Sequence, residues 1–228
     1  MVTRTSTRGT KSLATGLVLA LVAGCTPMAV DVPFAHKMAA SEREFVEIAE
    51  ALAEQYEFKG VPLPPPLPGE GPRKHVRRSV VLVSDTLHFC QYTSNPPPDQ
   101  CNGANADYLD YVAVGSSVSA EDRSRIIEIN QVSASFPCRE NAWNVCATKA
   151  EVEELFSEDG WWPDFYDRFK GSAGFVEISV PLMSNERTSA KVYVSHRCDG
   201  LCGEGLLFVV EKRAGQWVII KREQLWVS

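Results

Sequence analysis

The 228-residue chain carries 23 lysines and arginines against 29 aspartates and glutamates, which gives a net charge of −6 at pH 7. Phosphate backbones are bound mainly through lysine and arginine, so this acidic balance argues against a nucleic-acid partner. The length suffices for one core domain and is short for two.

The first 24 residues have the three parts of an export signal. Arg4, Arg8 and Lys11 precede an apolar run over residues 13–23, and small residues stand immediately before Cys25. The run is shorter than the roughly 20 residues that a membrane-spanning helix needs. We therefore expect residues 1–24 to be removed as a signal peptide rather than kept as an anchor.

The segment Leu21–Cys25, with the sequence Leu-Val-Ala-Gly-Cys, resembles the lipobox of bacterial lipoproteins. The resemblance implies a diacylglyceryl group on the Cys25 thiol and a further acyl chain, such as palmitate, on its amine. Two acyl chains already give stable membrane anchoring. Thr26 stands where an aspartate would resemble an inner-membrane retention signal, which favours the outer membrane in a cell with two membranes. The alternative is an ordinary cleaved signal with a chance cysteine at its boundary.

The next segments predict a tether, a helix and a spacer. Residues 25–40 are expected to form a lipidated tether. Residues 41–59 predict an amphipathic helix, because Ser41 and Glu44 form a capping box and apolar residues follow at helical spacing. Residues 60–78 hold a proline run, which predicts a semi-rigid polyproline II spacer or, as the alternative, a ligand for an aromatic groove. A basic run follows the prolines and is interpreted as solvated linker charge, with contact to lipid headgroups or an anionic polymer as the alternative. Its residues are Arg73, Lys74, His75, Arg77 and Arg78.

Residues 79–228 predict a single α+β domain. Residues 80–83 predict a buried strand, and Ser119, Thr148 and Pro163 mark the starts of three short helices. Beyond them, apolar residues alternate in four runs separated by turn residues. These runs are Val176–Leu182, Val192–Val194, Leu206–Val210 and Trp217–Ile219. The pattern predicts a four-stranded antiparallel meander with one buried face, covered by the short helices.

The region from Trp161 to Ser228 contains a series of short motifs. They are Trp162-x-x-Phe165, Gly174–Ser179, Ala190-x-Val192-Tyr193-Val194, Cys198-x-x-Leu201-Cys202-Gly203-x-Gly205, Gly215-x-Trp217 and Leu225–Ser228. Through these motifs the C-terminal half of the chain resembles a group of exported bacterial proteins whose activity is uncharacterised. The resemblance implies a fold, for which a cone-shaped sheet like that of nuclear transport factor 2 is one architecture, and it implies no activity.

Six cysteines remain after Cys25, and an even number in an exported chain predicts disulfides. They fall into three close pairs separated by long intervals. The short separations favour local pairing, although other connectivities are formally open. The expected bridges are Cys90–Cys101, Cys138–Cys146 and Cys198–Cys202.

The segment from Ser195 to Gly205 concentrates the residue types that carry chemistry. A metal site would use His196 and two cysteines, Cys198 and Cys202, with Asp199 or Glu204 completing the set. The same segment could instead hold a redox-active cysteine pair, or a hydrolytic set of a serine, His196 and an acid. We favour a disulfide-locked hairpin, because a strand follows the cysteines and adjacent strand residues point to opposite faces.

The remaining candidate site residues are histidines and tryptophans. His196 shares the strand parity of Val192 and Val194, so we expect a partly buried histidine. His88 stands alone at a loop entrance and is interpreted as structural. Trp161 and Trp162 are expected to pack against the sheet, with a surface aromatic patch for a partner or a glycan as the alternative.

Export, anchoring and disulfides are indicated by the sequence, whereas an acid–base set is not. The sequence therefore predicts a lipid-anchored cell-envelope protein that acts as a non-catalytic binding or assembly module, with no cofactor or metal. Its expected contacts are the membrane, through Cys25, and an envelope protein or a glycan. The alternative is an envelope hydrolase or a metal-dependent enzyme centred on His196, Asp199 and Glu204.

Overall fold

The computed structural model describes residues 37–60, 77–90, 104–105, 118–157 and 161–228. Within these ranges the chain forms four helices and nine strands, in the α+β class that the sequence predicts. All of these residues belong to the compact unit Val32–Ser228. Cys25, most of the tether and residues 61–76 of the proline-rich spacer lie outside the described ranges.

Each helix begins where the capping residues predict it. The helices are α1 (Glu42–Gln55), α2 (Ala120–Ile129), α3 (Lys149–Glu154) and α4 (Trp162–Arg168). Ser41, Ser119 and Thr148 are N-caps, and each side chain accepts the backbone N–H three residues further on. This bond satisfies one of the N–H groups that a helix start leaves without a partner. Pro163 stands in the first turn of α4, where a missing N–H costs nothing.

Seven of the nine strands form one mixed sheet, in the order β4-β1-β5-β7-β8-β9, with β6 paired to β7. The remaining two, β2 and β3, pair with each other in parallel. The strands are β1 (Val80–Val83), β2 (Phe89–Cys90), β3 (Ala104–Asn105), β4 (Asn144–Ala147), β5 (Phe175–Ile178), β6 (Leu182–Met183), β7 (Ser189–Asp199), β8 (Cys202–Arg213) and β9 (Gln216–Val227).

The predicted four-stranded antiparallel meander is wrong in its strand number and its pairing. β1 pairs in parallel with both β4 and β5, and only the pairs from β5 onwards are antiparallel. The predicted run Val176–Leu182 also divides into β5 and β6, which are separated by a segment that contains Pro181. Proline lacks the N–H that a continuous strand would need at that position.

Helices cover both faces of the sheet. α1 packs on the first face, over a cluster that contains Phe45, Ile48, Leu52, Val80, Leu82, Val176, Ile178, Val194 and Phe208. On the second face α2 covers Tyr193 and Leu207, whereas α3 and α4 cover Val81, Val83 and Phe175. A strand such as β1, buried on both faces, reads as a continuous apolar run rather than an alternating one.

Arg77 closes the C-terminal end of α1. Its guanidinium donates hydrogen bonds to the backbone carbonyl oxygens of Ala53, Glu54 and Tyr56, at 2.5, 2.6 and 2.9 Å. It also stands over the ring of Trp143, 4.0 Å from the centroid. The last four carbonyls of a helix have no intrahelical partner, so these bonds satisfy groups that would otherwise need water. Arg77 is therefore a structural residue of the domain rather than a solvated linker charge.

Glu44 fixes the other end of α1 and should make the fold sensitive to acid. Arg187 donates hydrogen bonds to both carboxylate oxygens of Glu44, one of them at 2.9 Å. These bonds hold the pKa of Glu44 at about 2, below its ordinary value of 4.5. The stabilisation is complete above the ordinary value and is lost as the pH falls towards 2. Glu44→Gln should therefore lower the urea midpoint at pH 7 and lose much of this effect at pH 3.

Glu54→Gln, at an exposed position of the same helix, is the matched control for that measurement. We expect its urea midpoint to follow that of the unmodified chain at both pH values. A Glu44→Gln deficit of equal size at pH 7 and pH 3 would show that the pair with Arg187 does not contribute to acid sensitivity.

Candidate functional site

The structure separates the three side chains that the sequence groups together. His196 on β7 lies directly opposite Glu204 on β8, and both point to the first face, beneath α1. Asp199 follows a β-bulge at the end of β7 and lines a cavity on the second face. The set of His196, Asp199 and Glu204 therefore does not converge on one pocket.

His196 is held in the core and is 1% exposed. Its Nε2 lies 2.8 Å from the carbonyl oxygen of Ala173, so this nitrogen carries the hydrogen and donates it. Its Nδ1 lies 3.7 Å from Oε1 of Glu204. The ring of Phe58 packs against the imidazole with 5.2 Å between centroids. A solute would reach His196 only if α1 and the residues after it moved away.

Glu204 has further partners that explain its position. It accepts hydrogen bonds from the Tyr56 hydroxyl at 3.2 Å and from the Gln224 amide at 3.0 Å, and Arg222 donates to the same hydroxyl at 2.9 Å. Burial would raise the pKa of Glu204, but His196, Tyr56 and Arg222 lower it overall. This network joins the end of α1 to the sheet, so both His196 and Glu204 have structural roles.

Two of the predicted disulfides are present. Cys138 bonds to Cys146 and Cys198 bonds to Cys202, with Cα atoms 5.9 and 5.1 Å apart. In these bridges the sulfurs are not available as thiolate ligands. Among the described residues, no group of three or more histidine, cysteine, aspartate or glutamate side chains is arranged to hold a metal. Cys25 and Cys101 lie outside the described ranges, so the lipid anchor and the Cys90–Cys101 bridge stay predictions.

A cavity of about 750 Å³ lies on the second face of the sheet. Side chains of β5 and β7 form the floor of the cavity. Side chains of α3 and α4 form one wall, and the end of β9 forms another. Small-molecule sites in proteins commonly have volumes of about 300–1,000 Å³. The cavity is therefore large enough for a ligand of several rings or a comparable chain.

Aromatic side chains form much of the cavity lining. The ring of Trp162 lies 4.9 Å from that of Phe156 and 5.8 Å from that of Phe175, measured between centroids. On another side Trp226 donates its indole N–H to the Tyr193 hydroxyl at 2.8 Å. Since Tyr193 is fully buried, this bond fixes the indole in place. These walls are formed by the fold itself and do not depend on a ligand.

Charged side chains of both signs face the same cavity. They are Glu177 on β5, Arg197 and Asp199 on β7, and Lys149 and Glu153 on α3. Lys149 Nζ lies 3.7 Å from Glu153 Oε1, so these two offset each other. Burial raises the pKa of Glu177 above its ordinary value, and the charges of Arg197 and Lys149 oppose that rise.

His88 also lines the cavity. Its Nδ1 is buried and has no hydrogen-bond partner within the described residues. Burial lowers the pKa of His88, and the charge of Lys149 acts in the same direction. The imidazole is therefore neutral at pH 7 and adds a polar but uncharged group to the lining.

Sequence reasoning overlooks Glu177 and Arg197, because charged residues at alternate strand positions are expected to face solvent. Phe175 is the signal that could have identified the site. It shares the parity of Glu177 and lies on the opposite face from Val176 and Ile178. A large aromatic side chain on the face expected to be solvated indicates that this face is covered as well.

The two tryptophans of the α4 start have different environments. Trp162 belongs to the second-face core and is 9% exposed, whereas Trp161 is 63% exposed. Leu201, in the hairpin between two cavity-lining residues, is 89% exposed. Trp161 and Leu201 are thus exposed apolar residues that are adjacent in sequence to residues lining the cavity.

The chain matches no protein-family model, and no curated protein or solved structure matches it at a significant level. None of the described helices is both long and apolar enough to cross a membrane.

Proposed function

We propose that this protein is an exported, lipid-anchored component of the cell envelope whose domain is a non-catalytic binding module. The observation that carries the proposal is the cavity of about 750 Å³ on the second face, with aromatic walls and a few charged groups. Binding sites for small molecules have this composition, in which apolar walls supply burial and a few polar groups supply orientation. The proposed ligand is a small molecule held between β5, β7 and the helices α3 and α4.

The cysteine and histidine side chains at or near the cavity have other roles than nucleophile and base. Nucleophilic catalysis needs a nucleophile within hydrogen-bond reach of a base. Cys202 is bonded to Cys198, and the buried Nδ1 of His88 has no partner among the described residues. His196 is directed away from the cavity, towards α1. Cys202 is therefore not available as a thiolate nucleophile, and Nδ1 of His88 orients no nucleophile among the described residues.

The proposed location rests on the leader and on the disulfides. Two bridges are formed in the domain, and disulfides persist in oxidising compartments outside the cytosol. The Leu21–Cys25 motif supplies the acylation site in this proposal, with the outer membrane as the destination. Cys25→Ser should remove the acyl mass from the mature chain and release the protein from the membrane fraction. Intact-mass spectrometry and fractionation measure both effects, and a mature chain with an unmodified Cys25 would contradict the anchor.

Tryptophan quenching by an uncharged aromatic probe tests the binding function. Bromine quenches indole fluorescence on contact, and Trp162 and Trp226 both line the cavity. Titration of the full chain with para-bromophenethyl alcohol should give saturable quenching. Trp226→Phe should reduce the quenched signal, because one of the two reporting indoles is then absent.

Trp143→Phe is the matched control, since Trp143 packs against Arg77 and does not line the cavity. The signal lost on saturation should be the same in this variant as in the unmodified chain. Quenching that rises linearly with probe concentration, or that is unaffected by Trp226→Phe, would show collision with exposed tryptophans and would refute the binding site.

A further inference from the structure

Glu177 is a cavity-lining carboxylate that has no pairing partner within the fold. It lies on β5 opposite Ser195, on the same face as Phe175. Within the described residues its carboxylate accepts no hydrogen bond and forms no ion pair. Glu177 is half-buried, so its carboxylate keeps part of its contact with water, and burial favours its neutral form. A partner of opposite charge would compensate the ionised form, and no described side chain lies within ion-pair distance to do so.

The neighbouring charges do not replace a partner. Arg197 and Asp199 come from β7 with opposite signs, and Lys149 and Glu153 from α3 form their own pair at 3.7 Å. Arg197 is exposed, so solvent screens much of its effect on Glu177. His88 faces the same space and is neutral at pH 7. With Glu177 ionised, the cavity therefore has one more negative than positive charge.

The aromatic lining favours the same sign of ligand. Phe175 is two residues from Glu177 on the same face, and Phe156 and Trp162 pack next to Phe175. The faces of aromatic rings carry negative charge density and attract cations, more strongly where water is excluded. A positively charged ligand could thus contact the carboxylate and the ring faces together, whereas an anion would be repelled by both.

We propose that the ligand is an organic cation, an amine or a guanidine on an apolar body, whose charge pairs with the Glu177 carboxylate and whose body packs against Phe156, Trp162 and Phe175. The inference rests on the proposed binding function and adds the chemical class of the ligand to it. The cation supplies the compensation that the fold lacks, and the aromatic walls bury the remainder of the molecule.

Burial raises the pKa of Glu177, which gives the binding a pH dependence of known sign. Above this pKa the carboxylate is ionised and pairs with the cation. Below it the carboxyl is neutral and the preference for a cation is lost. The affinity for an amine that stays protonated across the pH range should therefore rise with pH until Glu177 is fully ionised, whereas the affinity for an uncharged analogue should not change.

Three ligands of similar shape separate charge from size: phenethylamine, phenethyl alcohol and phenylpropanoate. Each is titrated into the full chain by calorimetry and in competition with para-bromophenethyl alcohol. At pH 8 we expect the amine to bind at least about tenfold more tightly than the alcohol, the ratio expected for one charge-assisted hydrogen bond. The carboxylate should bind most weakly. Glu177→Gln should reduce the amine to the affinity of the alcohol and leave the alcohol unchanged.

Glu54→Gln, at an exposed position of α1 outside the cavity, is the control that removes an equal charge, and it should retain the preference for the amine. The pH series on the unmodified chain tests the role of Glu177 without a substitution. Equal binding of all three ligands, or a preference for phenylpropanoate, would overturn the cation assignment while the binding function stands. Loss of alcohol binding in Glu177→Gln would also overturn it, because Glu177 would then only shape the cavity. Failure of the brominated alcohol to bind would overturn both proposals.

Discussion

Gly174→Ala should lower the free energy of unfolding by about 3 kcal/mol or more, because the added Cβ both strains the backbone and overlaps a neighbouring backbone atom. Gly174 has a φ of 106°, in the region that favours glycine. A Cβ at this position would lie 2.1 Å from the carbonyl oxygen of Arg197. The backbone has little freedom to move, since the Gly174 carbonyl accepts the N–H of Val81 at 2.9 Å and so joins β5 to β1. Urea denaturation measures the loss.

Gly171→Ala separates the two causes. Gly171 also has a positive φ, 77°, but no atom lies within 4 Å of a Cβ built there. Gly171→Ala then loses only the ease with which glycine adopts a positive φ, which lowers the free energy of unfolding by about 1 kcal/mol. Equal losses in the two variants would show that the approach of Arg197 to Gly174 contributes nothing. Because Arg197 lines the cavity, Gly174→Ala should also weaken binding of the brominated probe.

Gly205→Val should open the cavity with a smaller loss of stability. A Cβ on Gly205 would lie 1.9 Å from Nε1 of Trp226, so the indole must leave the strand surface. It then loses its hydrogen bond to Tyr193, and the cavity loses one aromatic wall. We expect destabilisation of about 1–3 kcal/mol, as for other overpacked sites, and an affinity for the brominated probe that falls about tenfold or more.

Gly200→Val is the matched control in the neighbouring hairpin. Gly200 also lines the cavity, but a Cβ built there has no atom within 4 Å and its φ is not in the glycine region. Its unfolding free energy should stay close to that of the unmodified chain, and Trp226 should keep its emission spectrum. If Gly205→Val retained both the emission spectrum and probe binding, Trp226 would not be a wall of the site.

Local chemistry made the helices and the long strands predictable. Ser41 and Glu44 specify the start of α1 within four residues, and β7 and β8 are long enough for alternation to show. The parallel pairs were not predictable, because β4 (Asn144–Ala147) has little apolar alternation and its partner β1 lies some sixty residues earlier in the chain. With these extra strands the sheet is buried on both faces, whereas the sequence predicts one buried face.

The candidate site was only partly predictable for the same reason. His196, Asp199 and Glu204 are close in sequence, but Asp199 lies beyond a β-bulge of β7 and lines the cavity, whereas His196 points to the other face, beneath α1. The cavity instead uses residues from β5, β7, β9, α3 and α4, which only the tertiary fold assembles. The pairing of nearby cysteines needed no such information, since a loop of a few residues leaves them little choice of partner.

The contacts of Arg77 fix the separation of the two ends of the proline-rich segment. Because Arg77 is bonded to the last carbonyls of α1, the residues on either side of positions 61–76 lie next to each other. Residues inserted between positions 60 and 77 would therefore lengthen the connection without changing the separation of its ends. Residues 38–40 are held by the domain as well, since Ala39 pairs with Leu182 and the Ala40 N–H is bonded to the Pro181 carbonyl oxygen. If Cys25 carries the proposed lipid, the connection available between that lipid and the domain is therefore limited to the residues before Met38, at most roughly 45 Å when fully extended.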